Sequence, residues 1–76
     1  MNNQTFETAD LNLATLIYYE GFNLVSIDRQ NERSRFIFNA TKELNQLIQQ
    51  YWNGQLLVEP KSYFNSLREI KVRLRS

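Results

Sequence analysis

Alternating side chains in the segment RSRFIFN, residues 33–39, narrow the possible folds more than any other feature of the chain. In an extended strand, Phe36 and Phe38 point to one face. Arg33 and Arg35 point to the opposite face. A strand pair is only marginally stable alone, and its aromatic face favours burial. The sequence therefore predicts a hairpin whose Phe36/Phe38 face is covered by another layer.

The segment FNLVSID, residues 22–28, supplies the partner strand. Val25 and Ile27 are expected to share one face of this strand, with Leu24 on the other. The intervening residues RQNER lack an Asn-Gly turn, so we expect a hairpin loop of about three to five residues.

A first helix is predicted before the hairpin. Residues 1–7 are polar and expected to be flexible, so the compact domain is predicted to span residues 8–76. Thr8 is the expected N-cap, and Asp10 lies in the first turn, where a negative charge suits the helix dipole. Gly21 can adopt the left-handed conformation that ends a helix.

Two more helices are predicted after the hairpin. Asn39 or Thr41 caps the first of these, and Gly54 ends it. Pro60 fits the first turn of the last helix, and residues 55–59 form an extended connector or a third short strand. The apolar stripes of these helices are Leu44, Leu47, Ile48, Tyr51 and Trp52, and then Tyr63, Phe64, Leu67, Ile70 and Leu74.

The order helix, strand, strand, helix, connector, helix defines the predicted fold class. It is that of a small α+β domain in which an antiparallel hairpin packs on three helices. The length of 76 residues suits a single domain.

The composition excludes several kinds of catalytic and metal-binding site. The chain contains no cysteine and no histidine, which excludes disulfides, thiolate catalysis, the usual zinc sites and histidine-dependent nucleophiles. Both glycines are explained as helix ends, so no glycine-rich phosphate loop is expected. We therefore expect a protein that is not an enzyme and that has no metal and no cofactor.

The hydropathy pattern contains no membrane-spanning segment. The first residues, MNNQTFETAD, lack the basic and apolar regions of a signal peptide, and the longest apolar runs are too short to cross a bilayer. We expect a cytoplasmic protein with no membrane partner.

Charge is unevenly distributed. Residues 1–28 contain four acidic and no basic side chains, whereas residues 29–76 contain nine basic and four acidic ones. Lys61, Arg68 and Arg75 recur every seven residues on the last predicted helix, with Lys71 between them. Such a stripe can lie along a phosphate backbone. The candidate nucleic-acid-binding residues are Arg33, Arg35, Lys61, Arg68, Lys71 and Arg75.

The positions of these cations also have a purely structural explanation. Lysines and arginines often flank an apolar stripe with their charged ends in water, and they favour a helix C-terminus. Arginines on a strand can protect a sheet edge from aggregation. The sequence leaves the relative orientation of the strand arginines and the helix stripe open.

Several motifs together resemble a known family. They are Leu11, Leu13, Ala14 and Leu16 before Gly21–Phe22, FIF at 36–38, LIQQYWNG at 47–54, Val58, Phe64, and LREIK at 67–71. This pattern resembles the short bacterial and phage domains of domain-of-unknown-function family 5659, over about residues 8–74. The resemblance implies the fold and a phage or mobile-element origin, and it brings no catalytic residues.

The sequence thus favours a small non-enzymatic binding module that binds nucleic acid through a basic face. The alternative is a protein–protein interaction module or a self-associating, dimerising regulatory module.

Overall fold

The computed structural model describes residues 4–30 and 33–76. Within these ranges the chain forms three strands and three helices. In chain order they are β1 (Thr5–Thr8), α1 (Leu11–Tyr19), β2 (Leu24–Asp28), β3 (Arg35–Asn39), α2 (Lys42–Trp52) and α3 (Pro60–Arg75). The predicted α+β fold, an antiparallel hairpin on three helices, is confirmed.

The third strand lies at the N-terminal end of the chain, not in the connector. The sheet is antiparallel with the order β1-β3-β2, and Phe6 of β1 lies opposite Phe38. Residues 5–7, which were expected to be flexible, belong instead to this strand, and residues 1–3 lie outside the described residues. Phe6 packs against the core, which gives this short polar segment an apolar anchor. Residues 55–59 remain an extended connector.

An irregularity in β2 changes which of its side chains face the core. The pairing with β3 shifts between Leu24 and Ser26, so that Val25 is an extra residue in the strand. As a result Leu24 is buried and Ile27 packs against the same core. Val25 is 49% exposed, so the prediction that it shares a face with Ile27 is wrong.

The start of α1 differs by two residues from the prediction. Asp10, not Thr8, is the N-cap, and its carboxylate accepts hydrogen bonds from the backbone N–H groups of Asn12 (2.9 Å) and Leu13 (3.3 Å). The Thr8 hydroxyl instead accepts a hydrogen bond from the Asp10 N–H. Thr8 thus fixes the position of the residue that caps the helix.

The other helix boundaries follow the expected signals. Gly21 and Gly54 end α1 and α2 with φ angles of +100° and +68°, the left-handed conformation that glycine adopts without strain. Of the two predicted caps for α2, Thr41 is the one used. Pro60 is the first residue of α3.

The core lies between the inner face of the sheet and the three helices. Phe36 and Phe38 are buried in it, as predicted. The other buried members of the cluster are Leu13, Ala14, Ile17, Leu24, Leu44, Leu47 and Ile70. Of the predicted helix stripes, Trp52 and Phe64 do not join the core and are largely exposed.

Two phenylalanine substitutions test the distinction between core side chains and exposed side chains. Phe38→Ala should cost about 3–5 kcal/mol because Phe38 is 0% exposed, and that loss is comparable with the whole stability of a domain this small. Phe64→Ala removes the same atoms from a ring that is 58% exposed and should change the free energy of unfolding by about 0.5 kcal/mol. Urea unfolding followed by circular dichroism measures both. Equal midpoints for the two variants would contradict the assigned core.

Candidate functional site

Four of the predicted binding residues share the outer face of α3. Lys61, Arg68, Lys71 and Arg75 are all exposed. With a rise of about 1.5 Å per residue, they extend over about 21 Å of the helix. The structure therefore brings these four predicted residues together on one element.

Polar contacts with α1 add to the apolar packing of Ile70 and Leu74 in holding α3 in place. The structure describes every residue of α3, and only Ile70 among them is buried. Tyr18 donates a hydrogen bond of 2.7 Å from its hydroxyl to Glu69 Oε1. The Tyr63 hydroxyl donates to the backbone carbonyl of Asn12 at 3.3 Å. These contacts attach one flank of α3 to α1 and leave the opposite flank uncovered.

Two arginines that are not in the candidate set tie the hairpin to the end of α3. The Arg29 guanidinium donates to the carbonyls of Arg73 (2.6 Å) and Leu74 (3.1 Å), at the negative end of the helix dipole. Arg73 in turn donates to the Leu24 carbonyl at 3.1 Å. Sequence reasoning missed these contacts, because the partners are backbone carbonyls far away in the chain.

The strand arginines are separated from this helix face. Arg35 lies on the face of β3 opposite the Phe36/Phe38 face, and its guanidinium is 3.9 Å from Glu7 Oε1. Asp28 is its register partner on β2. Arg33 is exposed just before β3. Because the helices pack on the Phe36/Phe38 face, Arg35 points away from the α3 layer, among acidic neighbours.

Two shallow depressions border α3. One, of about 270 Å³, is lined by Phe64, Leu67, Arg68 and Lys71, and we call it the Phe64 cleft. The other has a volume of about 350 Å³ and lies between α1 and α3, lined by Tyr18, Arg68, Glu69, Val72 and Arg73. Arg68 therefore stands on the ridge between the two depressions.

Local hydrogen bonds shift two acid–base equilibria next to this face. The hydrogen bond to Glu69, together with burial, raises the pKa of Tyr18, and nearby Arg73 acts in the opposite direction. Glu59 caps α3, and the backbone N–H groups of Ser62 and Lys61 lower the pKa of its carboxyl. Both shifts arise from contacts that position α3.

Several apolar side chains outside the core are exposed near the α2–α3 connector. Trp52, at the end of α2, is 67% exposed, and Leu57 in the connector is 93% exposed. Val58 and Phe64 continue this apolar exposure into α3. Sequence periodicity placed Trp52 and Phe64 on apolar stripes but gave no signal that these stripe edges would lack a partner.

Among residues 4–30 and 33–76, no group of three or more Asp, Glu, His or Cys side chains is arranged to hold a metal ion. No helix in that part of the chain is long and apolar enough to cross a membrane.

The fold and the basic helix define a small α+β domain with a candidate binding surface on its last helix. The chain belongs to the family described as Domain of unknown function (DUF5659), whose model matches residues 3–76. The family suggested by the sequence motifs is thus confirmed. Comparisons with curated proteins and with solved structures found no match. The phage or mobile-element origin and the cytoplasmic location stay predictions.

The Tyr18–Glu69 contact predicts a specific alkaline response. Because folding raises the Tyr18 pKa, the stabilisation is fully present below the ordinary tyrosine pKa of about 10 and is lost as the pH rises through the raised value. Tyr18→Phe should therefore flatten the decline in unfolding free energy that begins above about pH 10. Urea unfolding at each pH measures this slope. A decline parallel to that of the wild type would contradict the contact, and Glu69→Gln should return the Tyr18 pKa towards its usual range.

Proposed function

We propose that this chain is a non-enzymatic binding module that holds the phosphate backbone of a nucleic acid along the outer face of α3. One observation carries the proposal: Lys61, Arg68, Lys71 and Arg75 are exposed in a line on a single helix. Among the described residues, none of these four lies within 4.0 Å of a carboxylate oxygen. Their charges are therefore available to an external anion.

The surroundings of α3 strengthen this assignment. The only acidic residue of the helix, Glu69, accepts a hydrogen bond from Tyr18 on the α1 side. Arg29 and Arg73, which donate to backbone carbonyls, lie beside and within the C-terminal end of the helix, and Arg68 donates to the side-chain oxygen of its neighbour Asn65. Cations that neutralise phosphates release condensed counterions, which drives binding without sequence specificity.

The dependence of affinity on salt tests the proposal. Neutralising Arg68 and Arg75 together to Gln should reduce the magnitude of the slope of log K against log salt by roughly 1.4 to 1.8, about 0.7–0.9 for each lost phosphate contact. Fluorescence anisotropy with a labelled oligonucleotide, titrated at several salt concentrations, gives this slope. Unfolding curves establish that the variants are folded.

A matched control removes two arginines elsewhere. The double variant Arg33→Gln/Arg35→Gln loses two positive charges, as the Arg68/Arg75 variant does, but at β3. It should leave the slope of log K against log salt unchanged, because Arg35 points away from the α3 layer. A reduced slope in this control but not in the α3 variant would move the site to the sheet. Absence of any oligonucleotide binding at low salt would overturn the nucleic-acid function.

A second candidate function is supported by the exposed apolar side chains. Trp52, Leu57 and Val58 are exposed at the end of α2 and in the connector that follows it, and exposed apolar surface can mark a protein interface. This observation favours a protein–protein interaction module or a self-associating, dimerising one. The two candidates rest on different residues, the α3 cations in the first and Trp52, Leu57 and Val58 in the second, and one chain can carry both.

Light scattering tests the self-associating form of this second candidate. If the connector mediates dimerisation, the molar mass should rise from monomer towards dimer with concentration, and Leu57→Ser should prevent the rise because that side chain is 93% exposed. Leu57→Ser should leave the unfolding midpoint of the monomer unchanged. A monomeric mass throughout the concentration range would count against self-association.

A further inference from the structure

The Phe64 cleft combines three kinds of contact within two turns of helix. Phe64 contributes an aromatic ring, Leu67 an aliphatic wall, and Arg68 and Lys71 two cations around a volume of about 270 Å³. This volume is smaller than the pockets that usually enclose a drug-sized ligand, so the cleft suits a small, flat group. A plain phosphate-binding surface requires only the cations, and the aromatic and aliphatic walls need a separate explanation.

The ring of Phe64 is held at one side by ordered neighbours. Tyr63 meets it in an edge-to-face contact, with ring centroids 6.1 Å apart and an angle of 69° between the planes. Tyr63 is itself fixed by its hydrogen bond to the Asn12 carbonyl and by the ring of Tyr19 at 6.2 Å. Phe64 is nevertheless 58% exposed, so an orientated aromatic surface remains open to a ligand.

We propose that the Phe64 cleft binds one nucleotide of a single-stranded nucleic acid. The unpaired base stacks on the ring of Phe64 beside Leu67, and Arg68 and Lys71 hold the adjoining phosphate. The inference rests on the proposed phosphate-binding function of α3 and makes it more specific, because it selects single strands over duplexes.

The chemistry of the cleft favours this ligand over the alternatives. A base within a duplex already stacks on its neighbours, so the ring of Phe64 can add stacking energy only to an unpaired base. An acidic peptide satisfies the two cations but offers carboxylates, not a planar group, to the ring. A nucleotide supplies the anion and the planar aromatic surface in one unit.

The experiment compares two labelled probes of equal length, an oligodeoxythymidine and a DNA duplex, by fluorescence anisotropy at low salt. The wild type should bind the single strand more tightly than the duplex. Phe64→Ala should weaken single-strand binding by at least about fivefold, the lower range for loss of one stacked base, and should leave duplex binding within about twofold. Phe64→Leu keeps apolar bulk without a π face and should behave like Phe64→Ala, whereas Phe64→Trp should retain binding.

A pair of lysine variants separates the cleft from the rest of the stripe. Lys71 lines the cleft and Lys61 does not, although both are exposed cations of α3. Lys71→Gln should weaken single-strand binding more than Lys61→Gln does, whereas the two variants should weaken duplex binding similarly. Equal effects on the single strand would overturn the assignment of the phosphate to Lys71.

The possible results distinguish this inference from the proposed function. If both probes bind equally and the Phe64 variants change neither, while the Arg68/Arg75 double variant reduces the salt slope, phosphate binding stands and the base site is overturned. If Phe64→Leu binds the single strand as tightly as the wild type does, the inference that a base stacks on the ring of Phe64 is overturned. If neither probe binds, both proposals fail, and an acidic protein partner becomes the better explanation of the cations.

Discussion

Burial of the Phe36/Phe38 face of β3 is the interaction on which the other elements depend. β3 is the central strand, so it pairs with β1 on one side and β2 on the other. Phe6 and Leu24 lie opposite Phe38 in these two pairings and extend its apolar face. α1 covers this face with a run of buried side chains, and the other helices close the core around it. Loss of Phe38 would therefore weaken both the sheet and its attachment to the helices.

α3 is less deeply buried than β3, and its outer face is exposed. Ile70 is fully buried and Leu74 packs against the core, and polar contacts at the margins of the helix add to this apolar packing. Tyr18 and Tyr63 fasten the flank beside α1, and Arg29 fastens the C-terminal end. None of these contacts occupies the opposite flank. The α3 surface can thus remain both fixed in orientation and exposed.

The sequence predicted those features that depend on local chemistry or a clear period. It predicted the buried faces of Phe36 and Phe38, the glycine ends of α1 and α2, and the grouping of the α3 cations. It missed β1 because four residues with a single aromatic carry almost no periodic signal. It also placed Val25 on the wrong face, because a bulge reverses the alternation of inward and outward side chains and the residue types in β2 do not indicate a bulge. Trp52 was misassigned because a helical stripe shows which side chains share a flank, not whether a neighbouring element covers that flank.

Residue type alone would have assigned too many side chains to the candidate site. Arg73 and Arg75 are two positions apart on α3, yet Arg73 turns towards the Leu24 carbonyl and stabilises the bulged strand, whereas Arg75 is exposed. Phenylalanine shows the same division, since Phe38 is fully buried and Phe64 stands beside a cleft. The positive charge of the C-terminal part of the chain is therefore a poor measure of the proposed binding surface, because part of that charge holds the fold together. What identifies the α3 surface is the coincidence of exposed cations without carboxylate partners and an exposed ring fixed by its neighbours.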